Sequence, residues 1–335
     1  MTATGGIVLR IIERRRFLKF SICGAAVLAV RSHLHAQVKQ VCISTYVYKR
    51  VGNLEIKADV YRLGGEGIRP VVVWIHGGAL IMGHREWTDG RLKDMLLDAG
   101  YVLVSIDYRL APETKLPNII EDLEDAYSWV FGRGPDLFNV DTNRIAVMGS
   151  SAGGYLTLTT GFRAEPRPSA LVSFYGYGDL IGDWYSSPSP HPRHHQVKMS
   201  KEEAYRQVSG PPISDSRDRS GEGGAFYQFC RQHGIWPEAV SGWDPHEEKE
   251  KFFPYMPIKN VTAEYPPTLL IHGTADTDVP YEQSLMMSGQ LKSQGVEHKL
   301  ITIPDAEHGL GGGDPKQIDA AYESVLSFIN TRMKR

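Results

Sequence analysis

"RIAVMGSSAGGYLTL", Arg144 to Leu158, passes from an apolar run through six small residues, Gly149 to Gly154, and straight back into residues that suit a helix. A plain strand-to-helix connection needs only a glycine or two. The pattern Gly149-x-Ser151-x-Gly153 supplies a reason for more, because a serine held on a sharp strand-to-helix turn leaves no room for side chains two positions before and two after it. Those side chains would strike the neighbouring strand and helix. Ser151 is therefore expected to project above the end of the strand, at a helix N-terminus whose backbone N–H groups and positive dipole end favour negative charge.

Outward from this turn the chain alternates strands and helices. "VCISTYVYKR" and "LEIKADVYRL" are β-rich and close together, as an antiparallel pair at one end of a sheet would be. "PVVVWIHGG", "YVLVSIDY", "ALVSFYG", "TLLIHG" and "HKLITI" are short apolar runs of the kind that form buried parallel strands. An amphipathic stretch covers Arg91 to Leu97, and "IIEDLEDAYSWVF" carries Ile119, Leu123, Ala126 and Val130 at helical spacing. The fold class expected is α/β, a mostly parallel sheet with helices on both faces, with ligands at the carboxyl ends of the strands.

Further motifs fall at those strand ends. "HGGAL", His76 to Leu80, brings backbone close to whatever lies above Ser151, and "DYRLAPE", Asp107 to Glu113, follows the next strand. "HGTADTDVP", His272 to Pro280, offers Asp276, and "DAEHGL", Asp305 to Leu310, offers His308. Serine, acid and histidine in that chain order make a nucleophile, an orienting carboxylate and a general base. Each residue also has a plainer reading as a helix cap, an Asx turn or a loop histidine. Four matches at strand ends, in order, favour the chemistry.

On these motifs the chain resembles the α/β-hydrolases, and within them esterases and lipases similar to hormone-sensitive lipase and to feruloyl and acetyl-xylan esterases. The resemblance spans roughly 70–335 apart from a middle insertion. It implies Ser151 as nucleophile, Asp276 as acid and His308 as base, with the backbone N–H groups of Gly78, Ala79 and Ala152 as oxyanion donors and no cofactor or metal. Asp278 is the nearest rival to Asp276, which is preferred because the family's acid directly follows "HGTA" or its equivalent. Ala79 departs from the family pattern, which has a third glycine there; alanine keeps the N–H but resists positive φ. Asp107 and Glu113 are expected to shape the wall beneath the site.

The remaining features bound the reading. The chain has 335 residues, 41% hydrophobic and 23% charged, with a formal net charge of -2, so nothing electrostatic draws it to nucleic acid or an anionic membrane. Arg14, Arg15 and Arg16, then the apolar run Phe20 to Val30 and small Ala36, describe an export signal over 1–36 that resembles a twin-arginine leader. The run is too short for a stable membrane anchor, and the expected location is periplasmic or extracellular. Residues 37–335 then form the hydrolase domain, with 178–266 as an inserted cap whose aromatics Trp184, Tyr185, Phe226, Tyr227, Trp236 and Trp243 either pack on sugar rings or form its own core. Cys42 and Cys230 are free or, in an oxidising compartment, bridged. "HPRHH", His191 to His195, lacks matching metal-ligand spacing and reads as solvated surface.

The expected function is hydrolysis of carboxylic esters with short acyl groups, acetyl or feruloyl esters of carbohydrates included, through a Ser-His-Asp triad and an acyl-enzyme. The expected partner is a small-molecule or carbohydrate ester. Two alternatives stand beside it: a serine peptidase similar to the prolyl oligopeptidases, and a catalytically silent binding protein on the same fold.

Overall fold

The computed structural model describes residues 40–333; the expected export signal lies outside them. Eight strands form one sheet: β1 (Val41–Val51), β2 (Leu54–Leu63), β3 (Arg69–Ile75), β4 (Val102–Ile106), β5 (Val140–Ser150), β6 (Ala170–Phe174), β7 (Thr268–Gly273) and β8 (His298–Ile303). Their order is β1-β2-β4-β3-β5-β6-β7-β8. β1 pairs antiparallel with β2, and β2 antiparallel with β4, while every pairing from β4 to β8 is parallel. The β-rich pair expected at one end of the sheet is there.

The parallel strands are covered on both faces, which is why they read as continuous apolar runs instead of alternating ones. Val72, Trp74 and Leu103 face Leu92 and Leu96 of α1 (Gly90–Asp98) and Val325 and Ile329 of α10 (Pro315–Arg332). Their neighbours Val71, Val73, Ile75 and Val104 face the other way, onto α2 (Leu116–Phe138) and α3 (Ala152–Arg163). Ile119, Leu123, Ala126 and Val130 are all buried, as their spacing requires. The helix continues past the residues that spacing covers, through Gly132, Gly134 and Pro135, which in sequence look like a stop. Burial of Phe138 against Trp129 and Tyr46 overrides that local signal before Asn139 ends the helix in a left-handed conformation.

Between β6 and β7 run five short helices, α4 (Asp183–Ser186), α5 (Lys201–Arg206), α6 (Gly224–His233), α7 (Trp236–Ser241) and α8 (Pro257–Asn260), and α9 (Glu282–Ser293) joins β7 to β8. The inserted aromatics are mostly core. Tyr185 stacks on Trp236 with ring centroids 4.0 Å apart, Trp184 stacks on Tyr185 at 3.7 Å, and Phe226 and Trp236 are fully enclosed. Their cluster is continuous with the side chains of α2 and α3. Cys42 and Cys230 are unbridged: the first is exposed on β1 and the second is buried in α6.

Candidate active site

Ser151 sits alone between the end of β5 and the start of α3, at φ 55° and ψ -121°. Such a backbone is costly for a side chain with a Cβ, so the surroundings must enforce it. They do so by close approach. A Cβ on Gly149 would lie 2.3 Å from the Gly153 carbonyl oxygen, and one on Gly153 would lie 2.0 Å from that of Ile75 on β3. The Ser151 N–H is tied to the carbonyl of Phe174 at 2.9 Å. The hydroxyl has one direction left, toward the carboxyl ends of the strands.

Three strand ends meet there. His308, in the turn after β8, stands with Nε2 3.0 Å from Ser151 Oγ and Nδ1 2.7 Å from Asp276 Oδ2 in the loop after β7. Asp276 Oδ1 accepts the N–H groups of Asp278 and Val279, each at 2.9 Å, and Oδ2 also lies 3.2 Å from His272 Nε2. Burial alone would raise the Asp276 pKa; the hydrogen bonds from His272 and His308 outweigh it and hold the group at about 2. For His308, burial favours the neutral ring, but the hydrogen bond to Asp276 and the charges of Asp278 and Asp276 raise its pKa above the ordinary value. Asp276 accepts from Nδ1, so Nε2 is left to take a proton from the serine. Asp278, the rival acid, makes no such contact with Nδ1.

The "HGGAL" loop forms the facing wall. Gly78, Ala79 and Leu80 take φ values of 103°, 56° and 61° in succession. Gly78 admits no side chain, since a Cβ would lie 2.2 Å from the Met82 carbonyl oxygen. Ala79 adopts the positive φ that the sequence argues against. The compensation comes from around it: the Trp236 indole N–H donates to the Ala79 carbonyl at 2.9 Å, the Ala111 N–H donates to that of Leu80 at 2.8 Å, and Arg219 donates to that of Ile81. Among the described residues, no backbone or side-chain acceptor takes the N–H of Gly78 or Ala79. Ala152 follows Ser151 directly at the first position of α3.

Beneath this loop His76 stacks on Tyr108 at 4.3 Å, and burial pushes its pKa down to about 4, leaving a neutral ring that props the turn. Asp107 accepts the Arg85 N–H at 2.6 Å and its guanidinium at 2.9 Å. Glu113 pairs with Arg219. Both carboxylates are engaged by arginines, and neither is among the residues that line the cavity over Ser151.

A cavity of about 260 Å³ opens over Ser151 and His308, with Gly77, Gly78 and Ala79 on one side and Met82, Trp87, Tyr175, Tyr227, Asp278 and Gly309 around the rest. Several of these were not singled out by sequence. Tyr175, whose ring lies edge-on to His308 at 4.8 Å, directly follows β6, so the strand-end rule alone would have found it. Trp87 lies in a loop with no periodic or motif signal. The "HPRHH" segment corrects the expectation of a solvated surface: His194 is buried, with Nε2 3.2 Å from Asp278 Oδ1, and Arg193 reaches Asp278 Oδ2 at 3.2 Å. Among the described residues, no group of three or more His, Cys, Asp or Glu side chains is placed to hold a metal ion.

Two family models divide the chain between them: one for the alpha/beta hydrolase fold matches residues 72–220, and one for the prolyl oligopeptidase family matches residues 226–335. The chain belongs to the α/β-hydrolase superfamily. Solved structures agree on the fold of this α/β-hydrolase. A Staphylococcus aureus protein of unknown function superposes with a TM-score of 0.69 at 21% identity, covering 87% of this chain and 99% of that one. An acetyl ester-xyloside bifunctional hydrolase from Caldicellulosiruptor lactoaceticus gives 0.62 at 20% identity over 86% and 96%. Thermogutta terrifontis esterase 2, phosphorylated by paraoxon, gives 0.59 at 19% over 86% and 94%. Among curated sequences, non-reducing polyketide synthases of Penicillium rubens and Penicillium brasilianum are 29% and 30% identical over 79% of this α/β-hydrolase. The chain spans only 12% and 13% of their length.

Proposed function

We propose that this α/β-hydrolase cleaves carboxylic esters with short acyl groups, on carbohydrate or phenolic alcohols, by way of a Ser151 acyl-enzyme. The observation that carries the reading is the continuous line from Ser151 Oγ through His308 to Asp276, at 3.0 and 2.7 Å, opening onto a cavity. Ser151 Oγ attacks the acyl carbonyl while His308 Nε2 takes its proton. Asp276 holds the ring's tautomer and stabilises the imidazolium. The N–H groups of Gly78, Ala79 and Ala152 stabilise the oxyanion, His308 returns the proton to the leaving alcohol, and water releases the acyl group by the same steps in reverse roles. No step calls on a cofactor.

A cavity of about 260 Å³ falls just under the ~300–1,000 Å³ that encloses drug-sized ligands, which supports a short acyl group. We read 178–266 as the cap that closes this cavity, and residues 1–36 as a leader that carries the protein to the periplasm or outside the cell. The test is a p-nitrophenyl ester series from acetate to palmitate beside acetylated xylan fragments and methyl ferulate. kcat/KM is expected to fall as the acyl chain lengthens; a maximum at long chains with activation at an oil interface overturns the short-acyl reading. The match of residues 226–335 to the prolyl oligopeptidase family favours a second reading, peptide-bond hydrolysis. Turnover of prolyl amides in preference to aryl esters would select it.

A further inference from the structure

Asp278 is not part of the line that orients His308, yet it is buried beside it. Its Oδ1 accepts the Tyr227 hydroxyl at 2.5 Å and lies 3.2 Å from His194 Nε2. Its Oδ2 faces Arg193 Nη2 at 3.2 Å and His308 Nε2 at 3.9 Å. A carboxylate offers about four acceptor sites on its two oxygens, so Oδ2 keeps capacity on the side that lines the cavity. Three side chains from the insertion, Arg193, His194 and Tyr227, converge to hold one carboxylate at the mouth of the site. A triad needs only one such group, and Asp276 already fills that role.

The position carries the meaning. In ester cleavage the leaving oxygen receives its proton from His308 Nε2, so it must come within hydrogen-bond distance of that atom. Asp278 Oδ2, 3.9 Å from the same nitrogen, then stands beside the first carbons of the departing alcohol. An ionised carboxylate there accepts a hydroxyl hydrogen, and Arg193 offsets its net charge toward cation and anion alike, so the hydrogen bond to a neutral hydroxyl is what it offers. We propose that Asp278 is a specificity residue that accepts a hydrogen bond from a hydroxyl adjacent to the scissile ester oxygen, selecting esters of neutral polyhydroxylated alcohols. This rests on the ester-hydrolase reading and narrows it from carbohydrate or phenolic alcohols to vicinal diols such as sugar units.

The test compares two acetates of one ring, trans-2-hydroxycyclohexyl acetate and cyclohexyl acetate, with each kcat/KM normalised to the ester's hydroxide-catalysed rate. Sites built to hydrogen-bond a substrate hydroxyl discriminate strongly against the analogue lacking it. Wild type is expected to prefer the hydroxy ester at least ~10-fold, and Asp278→Ala to bring the preference below ~3-fold, on the scale of one charged hydrogen bond. Fluorophosphonate labelling of Ser151 reports whether the variant is folded. If Asp278→Ala does not fold, Asp278→Asn keeps the shape, removes the charge and is expected to cut the preference at least ~3-fold.

Three outcomes overturn the inference while leaving ester hydrolysis standing. One is a wild-type preference near unity, another an equal loss on both esters in the variant. The third is a preference for acetylcholine over neutral 3,3-dimethylbutyl acetate that disappears with Asp278→Ala, the mark of a cation site. Failure of the wild type to hydrolyse any ester overturns the parent reading instead.

Discussion

The indole N–H of Trp236 donates to the carbonyl oxygen of Ala79 at 2.9 Å. One residue belongs to the insertion between β6 and β7 and the other to the loop after β3, so the insertion helps to set the backbone that faces Ser151. Trp236 is fully enclosed and stacked on Tyr185, which fixes the direction of its N–H. Without that bond, nothing offsets the positive φ of Ala79 at its own carbonyl. Trp236→Phe is therefore expected to lower kcat on p-nitrophenyl acetate by roughly 10- to 100-fold, because sub-ångström misplacement near reacting atoms is costly. KM should change far less. Steady-state kinetics on protein with an unchanged circular dichroism spectrum checks this.

Removal of the attacking hydroxyl is expected to be the most severe single change. Ser151→Ala should lower kcat by on the order of 10⁴–10⁶-fold, with the remaining turnover coming from the oxyanion donors and binding. Asp276→Asn should cost about 10⁴-fold, since an amide at Oδ2 can present N–H to Nδ1 and favour the wrong tautomer. Asp278→Asn leaves the Nδ1 contact intact and should be the mildest of the three. The reverse ranking of the two aspartates, measured as kcat/KM on one aryl ester, would exchange their roles.

The pH dependence follows from His308. A base must be neutral to accept the Ser151 proton, so activity rises as pH climbs through the His308 pKa, which Asp276 and Asp278 raise above the ordinary histidine value against the effect of burial. The acid limb of kcat/KM is expected above pH 6.5. Asp278→Asn removes one of the charges that raise it, leaving Asp276 on one side and Arg193 on the other, so the limb should move to lower pH. Asp276, at about 2, stays ionised throughout. A limb that does not move would remove Asp278 from the electrostatics of the base.

Glycines in this chain should differ sharply in what they tolerate. Gly153→Ala puts a Cβ 2.0 Å from the Ile75 carbonyl oxygen and is expected to cost at least ~3 kcal/mol or abolish soluble expression. Gly132 lies exposed in α2 with nothing within 4 Å of its would-be Cβ. Gly132→Ala should stabilise the protein by about 0.5–1 kcal/mol. Thermal unfolding of the two variants beside wild type measures both.

Paired guanidinium groups are what a twin-arginine route recognises. On the leader proposed for residues 1–36, changing Arg14 and Arg15 to Lys keeps the charge, and the uncleaved chain is expected to accumulate inside the cell. Unchanged export with processing near Ala36, read by cell fractionation, would point to the general secretory route.

Much of this molecule is legible residue by residue. The apolar runs from Val71 to Ile75 and from Leu269 to Ile271 read as buried parallel strands because strands covered on both faces leave no position for polar side chains. The spacing of Gly149, Ser151 and Gly153 announces a turn that only glycine-flanked backbone can make, and the clashes a Cβ would meet there are local in cause. Asp276 and His308 are legible from their motifs, each directly after a strand, because a parallel sheet delivers every strand end to one rim.

What the chain order could not decide is what the insertion does at that rim. "HPRHH" reads as exposed surface, since charge and imidazole without ligand spacing usually are, yet the packing of α6 and the segment before it turns His194 inward to Asp278. Ala79 reads as a residue that resists positive φ, and Trp236, 157 positions away, together with Ala111 and Arg219 supplies the bonds that hold this loop there. Such contacts join residues far apart in sequence. Their energies depend on distances of a few ångströms set by the whole core, so no local pattern carries them. Sequence therefore determined the sheet, the turn at Ser151 and the three candidate catalytic side chains; tertiary packing alone decided what surrounds Asp278, how the facing loop is held and which side chains ring the cavity.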